Sequence, residues 1–178
     1  MYKSFPTPAV VIDLDQVDRN IINMVESNKK HGINHRPHIK THKSVYIAKR
    51  QLELGAKGIT CAKLGEVEVM IDGGISDILI AYPLIGQDKL ERLGRLIDRA
   101  NIITIVNSEK GAQALSQLGQ SKGIKISVLI EVDGGMNRGG HKPMEPTLRF
   151  AQKIRDLKGI DIIGLMYYSG IIYNEDTK

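Results

Sequence analysis

Between Asn34 and Ser44 the chain reads NHRPHIKTHKS, a stretch that crowds Arg36, His38, Lys40, His42 and Lys43 together. Its tail alternates as a buried strand does, with Arg36, His38 and Lys40 on one face. A charged face turned into a packed interior carries a large desolvation cost unless a ligand or partner meets it. Lysine is most useful to an enzyme as a neutral amine, yet its free pKa is about 10.4. Neighbouring cations and partial burial both disfavour the charged form, which is how a Schiff-base lysine becomes nucleophilic near neutral pH. Arg36, His42 and Lys43 are placed to act on Lys40 in that way. The same cations would welcome a phosphate, and Ser44 is positioned to cap a helix beginning there. A phosphorylated aldehyde meets both demands, and pyridoxal phosphate is the common one. Two other readings stand beside it. One is a basic strand edge lying in solvent. The other is a metal pair of His38 and His42, for which no nearby acidic residue offers the third ligand.

Further chemistry-bearing residues follow downstream. In EVDGGMNRGG, Glu131 to Gly140, two carboxylates close a very apolar run, and the glycines let the backbone turn tightly beside a ligand. Arg138 then projects over the site as a permanently charged donor, able to hold a phenolate or a carboxylate. A plain surface loop is the alternative there. In GLMYYSGIIY, Gly164 to Tyr173, the pair Tyr167 and Tyr168 ends a strand, one facing inward and the other toward the helices. An inward tyrosine can stack on a planar cofactor ring, whereas an outward one packs. Tyr173 lies on the following loop, where it could donate to a phosphate. CAKLGEVEVM, Cys61 to Met70, sets Glu66 in a first helical turn, where a carboxylate favours the helix dipole; its lone cysteine reads as buried and inert.

These residues need elements to place them. Strand-length apolar runs recur at Ala9–Ile12, Ile59–Ala62, Ile78–Ala81, Ile102–Val106, Ile126–Val132 and Asp161–Tyr168, and Asn34–Lys40 makes a seventh strand. Between them Leu14, Val17, Ile21, Ile22 and Val25 share a helical face, as do Leu90, Leu93 and Ile97, and Leu148, Ala151 and Ile154. Gly32, Gly55, Gly73 and Gly123 stand where helices should stop. Serial alternation of this kind gives a parallel sheet with helices over it, either doubly wound or closed into a (β/α)8 barrel. A doubly wound nucleotide fold places a glycine-rich turn after its first strand. Here DLDQVDR follows Ile12 and the first glycine is Gly32, so the barrel is preferred. In both architectures ligands bind at the carboxyl ends of strands, and Lys40 closes the second one.

A chain of 178 residues with 42% hydrophobic content is long enough for one domain with a sizeable core. It shows no signal-peptide pattern and no apolar run near the roughly 18 to 20 residues of a membrane span, so a cytoplasmic protein is expected. The single cysteine excludes an internal disulfide and any multi-cysteine metal knuckle. A net charge of +5 is spread over helical stretches without interleaved aromatics, which argues against a nucleic-acid partner.

Taken in order, TPAVVIDLDQVDRNI, RPHIKTHK, CAKLGEVEVM, DILIAYP and EVDGGMNRGG resemble the motifs of the fold-type III pyridoxal-phosphate enzymes. More specifically, they look like the D-threonine aldolase and D-serine dehydratase group, related to the alanine racemase N-terminal domain. The resemblance covers nearly all of the chain, and RPHxKTHK is its most specific element. It implies a (β/α)8 barrel followed by a β-rich C-terminal domain, to which the strand at Ala9–Ile12 would belong. It also implies that Lys40 carries the cofactor as a Schiff base, that Arg138 faces the cofactor's phenolic oxygen, that Tyr168 lies against the pyridine ring, and that Tyr173 contacts the cofactor. Gly139 stands where the group often has cysteine or a larger residue, and YYSG where the dehydratase branch has a histidine. The aldolase and dehydratase branches therefore both stay open.

Members of that group are about twice as long. Residues 1–178 are therefore expected to be the N-terminal part of the barrel, truncated after about the sixth barrel strand, with an open edge and an uncovered apolar face. The activity implied is cleavage or dehydration of a D-3-hydroxy amino acid by a pyridoxal-phosphate-dependent lyase. A divalent metal is implied too, with no ligand assigned in this chain. A homodimer or a complementary C-terminal chain is the expected partner. Two other classes remain open: a noncatalytic pyridoxal-phosphate binder or inactive fragment, and a phosphate-ligand-binding interaction module.

Overall fold

The computed structural model of the protein describes residues 6–170. Its helices are α1 Leu14–Lys30, α2 Val45–Glu53, α3 Leu64–Asp72, α4 Gln87–Leu96, α5 Glu109–Ser121 and α6 Glu145–Ile154. They alternate with strands β1 Ile59–Cys61, β2 Asp77–Ile80, β3 Asn101–Val106, β4 Ile126–Val132 and β5 Ile160–Tyr167. The five strands form one sheet in the order β1-β2-β3-β4-β5, parallel at every pairing. A doubly wound sheet reverses its strand order at a switch point, but here the order only advances. Right-handed crossovers in an advancing order place successive helices on the same face, as in an arc of a barrel.

Side chains that point to the helical face form the core. Ile59, Ile78, Ile80, Val128 and Ile130 pack against Met70, Leu93, Leu115 and Phe150, and each such fully buried side chain contributes roughly 1.5–3 kcal/mol. Helix starts are fixed locally: the side chains of Asp13, Ser44 and Ser108 accept from the backbone N–H groups of Gln16, Ile47 and Gly111. Gly32, Gly55 and Gly123 follow the ends of α1, α2 and α5 with positive φ, and Gly73 caps α3. Among the described residues no helix is long and apolar enough to cross a membrane.

Two of the seven expected strands are not strands. Residues 9–12 pair with nothing among the described residues, and Val10 is 94% exposed. An apolar run becomes a strand only when a neighbour takes its backbone groups. The Asn34–Lys40 stretch follows β1 only loosely, through Lys57 N–H to His35 O at 2.8 Å, Thr60 N–H to Pro37 O at 2.7 Å, and one bridge between His38 and Thr60. Pro37 has no N–H to extend that pairing, and the chain then tightens into a 3-10 turn over Ile39–Thr41. Two helical faces are also rotated from expectation. α6 buries Thr147, Phe150 and Ile154 and leaves Leu148 exposed, while α1 buries Ile21 and Val25 and exposes Leu14 and Ile22. On the far side of the sheet β5 is an edge, and Leu165 and Tyr167 on it are 61% and 55% exposed. This matches the open edge and uncovered apolar face expected from the greater length of the group that the chain resembles.

Candidate functional site

A cavity of about 510 Å³ opens at the carboxyl ends of the strands, walled by Arg36, His38, Lys40, Glu131, Arg138 and Tyr168, with Thr60, Leu79 and Met166 beneath. Lys40 enters it from the 3-10 turn and does not close a strand, as the alternation had suggested. Ile39, fully buried, faces the core on one side of that turn, and Lys40 is exposed to the cavity on the other. Among the described residues the backbone N–H of Lys40 has no main-chain acceptor; the Nδ1 of His38 takes it at 3.3 Å. From this turn the Lys40 ammonium lies 5.9 Å from the centre of the Tyr168 ring, and the Arg138 guanidinium lies 5.0 Å from the same centre. Both separations are cation–π distances.

Tyr168 reaches that position through a β-bulge. Ile160 and Ile162 pair with Ile126 and Val128 and share their helical side, so strict alternation along β5 would turn Tyr167 inward and Tyr168 out. One extra residue between Ile162 and Gly164 inverts the phase. Met166 then sits beside Glu131 on the cavity side, and Tyr168 follows it there, leaving Tyr167 on the outer face. Tyr173 lies outside the described residues.

The remaining basic groups of the site are accounted for. Arg36 pairs with Asp77 at 2.7 Å. Lys43 turns, at positive φ, onto the nearly buried carboxylate of Glu66, which also accepts the Ala62 N–H at 2.8 Å. Burial pushes the Glu66 carboxyl upward, but Lys43 and that N–H outweigh it and hold the group below its usual range. His42 accepts from the Ser44 N–H at 3.0 Å, and burial lowers its pKa. The neighbours expected to act on Lys40 as free cations are thus ion-paired or neutral. His38 and His42 each use Nδ1 as a backbone acceptor, and among the described residues no three His, Cys, Asp or Glu side chains gather into a metal site. Cys61 is buried, and burial raises its thiol to about 12, which makes it inert.

Arg138 is presented by a loop tied to one carboxylate. Asp133, 6% exposed, accepts the N–H groups of Gly135 and Asn137, each at 3.0 Å, and the Lys142 ammonium at 2.7 Å. Lys142 and the two N–H groups hold its pKa below the usual carboxylate range. Gly134 is required where this loop crosses β5, because a Cβ there would stand 1.8 Å from the Tyr168 carbonyl oxygen. Glu131 faces the cavity, accepts from the Asn107 amide at 2.7 Å, and abuts Gly139, where an added Cβ would come within 3.1 Å of its oxygens. Sequence reasoning missed Asn107 and Lys142. Asn107 directly follows the carboxyl end of β3, the position rule that singled out other site residues; nothing in the spacing of Lys142 marks it.

The fold and site together define a parallel α/β protein whose ligand site lies at the strand carboxyl ends, with a lysine and an arginine over one tyrosine ring. Residues 12–177 match the family model described as alanine racemase, N-terminal domain. The chain is 38% identical over 172 residues to a D-threonine aldolase of an Arthrobacter species, covering 97% of this chain and 45% of that protein. It is 35% identical over 173 residues to the D-threo-3-hydroxyaspartate dehydratase of Delftia sp. (strain HT23), covering 96% and 45%. The crystal structure of D-threonine aldolase from Filomicrobium marinum matches with a TM-score of 0.88 at 38% identity, over 93% of this chain and 45% of that one. The chain belongs to the alanine racemase N-terminal domain family, among the fold-type III pyridoxal-phosphate enzymes. It spans about half the length of the curated relatives it matches.

Proposed function

We propose that this chain is the cofactor-binding N-terminal portion of a pyridoxal-phosphate-dependent lyase acting on a D-3-hydroxy amino acid. One observation carries the reading: the way charge is sorted around the cavity. Arg36, Lys43 and Lys142 are tied to Asp77, Glu66 and Asp133, whereas Lys40 and Arg138, which make no ion pair among the described residues, both stand over Tyr168. A planar, anionic aldehyde fits that arrangement, with Tyr168 against its ring face, Arg138 as donor to its phenolic oxygen and Lys40 as the amine for its carbonyl. Bound there, the cofactor supplies an electron sink for the α-carbon of the substrate. Lys40 would hold the cofactor's carbonyl carbon and, as a free amine, would be placed to take or return a proton beside the substrate's α-carbon. Arg138, a planar donor, would hold the facing oxygen as an acceptor. Tyr173 completes the cofactor contacts in this reading, and the divalent metal has no ligand assigned in this chain.

The advancing strand order and the apolar row on β5 support extension of this arc into a (β/α)8 barrel, supplied by further residues or by a complementary chain. In that arrangement residues 9–12 would pair with a β-rich C-terminal domain, and complete enzymes would be homodimers.

Adding pyridoxal phosphate to the protein should raise a Schiff-base band at ~410–430 nm that borohydride fixes on Lys40 and that Lys40→Ala abolishes. Absence of that band in the wild type ends the reading. A band without turnover of D-threonine, D-serine or D-3-hydroxyaspartate, with Mn²⁺ or Zn²⁺ present and the barrel completed by its remaining strands, marks a noncatalytic binder and removes the lyase assignment.

A further inference from the structure

Only a few bonds hold the turn that aims Lys40. Ile39 O receives the His42 and Lys43 N–H groups at 3.2 and 2.8 Å, and the Lys40 N–H goes to the ring of His38. So short a turn has no interior, and its first N–H groups lack main-chain partners by construction. A side chain placed before the turn has to satisfy them, and here that side chain is an imidazole. We infer that His38 is the positioning residue for Lys40: its Nδ1 caps the turn and directs the lysine into the cavity, and it does so only as the neutral ring. The inference rests on the reading of Lys40 as the cofactor lysine.

The chemistry of imidazole sets the condition. A neutral ring keeps one nitrogen as acceptor, whereas a protonated ring carries N–H at both and would point a donor at the Lys40 N–H. The charged groups facing this ring are Arg36 and Lys40 on its own segment, Lys43 after the turn, Glu66 from α3, and Glu131 and Arg138 across the cavity. Burial lowers the His38 pKa most, Lys40 lowers it further, and Glu66 with the Thr60 backbone pulls the other way; the net direction is down. The capped form therefore prevails at neutral pH, and acid removes it. A cofactor bound to Lys40 would lose its geometry on the same titration.

Two readouts decide the matter. In ¹⁵N-resolved NMR of the protein without cofactor, the Lys40 amide should shift with the same midpoint as the His38 ring. In pyridoxal-phosphate titrations, His38→Ala should weaken the ~410–430 nm band roughly three- to tenfold at neutral pH, the scale of a lost N-cap. His38→Asn, which caps through an oxygen that does not titrate in this range, should recover affinity relative to His38→Ala and lose the acid-side step. Unfolding midpoints of both variants check that the fold is retained. A Lys40 amide indifferent to the His38 titration, or a His38→Ala band with wild-type affinity and pH profile, overturns the inference. If the wild type gives no band while the amide follows His38, the cofactor reading fails and the cap stands.

Discussion

Two loops present the two unpaired cations over Tyr168, and they are held in different ways. The loop carrying Arg138 hangs on a carboxylate, Asp133, which binds two backbone N–H groups and a lysine that hold its pKa below the usual carboxylate range. The turn carrying Lys40 rests on a buried isoleucine below and an imidazole cap beside it. One support is insensitive to pH near neutrality, and the other changes character in acid, below the ordinary imidazole range. The loops also share a device. Beside each, a nearly buried carboxylate takes up a lysine near the functional cation, Glu66 from α3 with Lys43 and Asp133 from the loop itself with Lys142, so that one cation per loop is left to face a ligand.

The largest expected effect tests the apolar support of the Lys40 turn. Ile39→Ala empties a fully buried site and should cost about 2–5 kcal/mol, read by urea unfolding, with the borohydride-fixed band on Lys40 lost before the band's dependence on Arg138. Gly134→Ala strikes the other loop. Its new Cβ has no room beside the Tyr168 carbonyl, so a loss of about 1–3 kcal/mol and a weakened Arg138 contact, seen as a shifted cofactor spectrum, are expected. If both variants behave alike, the two loops are one unit and the contrast fails.

Smaller still is Glu66→Gln. It keeps an acceptor for the Ala62 N–H and releases Lys43, whose side chain is 57% exposed, so about 1 kcal/mol is expected. The gentlest perturbation is acidification. His35, His38 and His42 have folded pKa values below the ordinary 6.5, so below that pH the unfolded chain binds more protons and stability falls. From pH 8 to pH 6 the free energy of unfolding in urea should drop by well under ~1 kcal/mol per histidine, given the solvent screening of these half-exposed rings. Glu66 and Asp133 add a second loss at lower pH, since their depressed values stabilise the fold above the ordinary carboxylate range and cease to as they protonate. A stability that rises on acidification would contradict both signs.

Much of this could be read along the chain. Strands β1 to β5 fall on the apolar β-branched runs because their helix-facing sides need a continuous apolar surface. Lys40 and Arg138 were singled out from residue types near strand ends and Tyr168 by the family resemblance, and the structure brings the three together. Residues 9–12 had the composition of a strand but no partner for their backbone. Pro37 announced a break in its segment that the alternation of Arg36, His38 and Lys40 concealed. The inward tyrosine could not be chosen by counting, because one bulged residue reverses the parity of β5.

Local pattern by itself determined strands β1 to β5, the helices between them, the parallel direction of the sheet and the lysine capable of Schiff-base chemistry, because periodicity and residue type act over a few positions. Tertiary structure alone decided which of the cations remain available. The carboxylates that take up Lys43 and Arg36 lie 23 and 41 residues away in sequence, and only folding brings them within ion-pair distance.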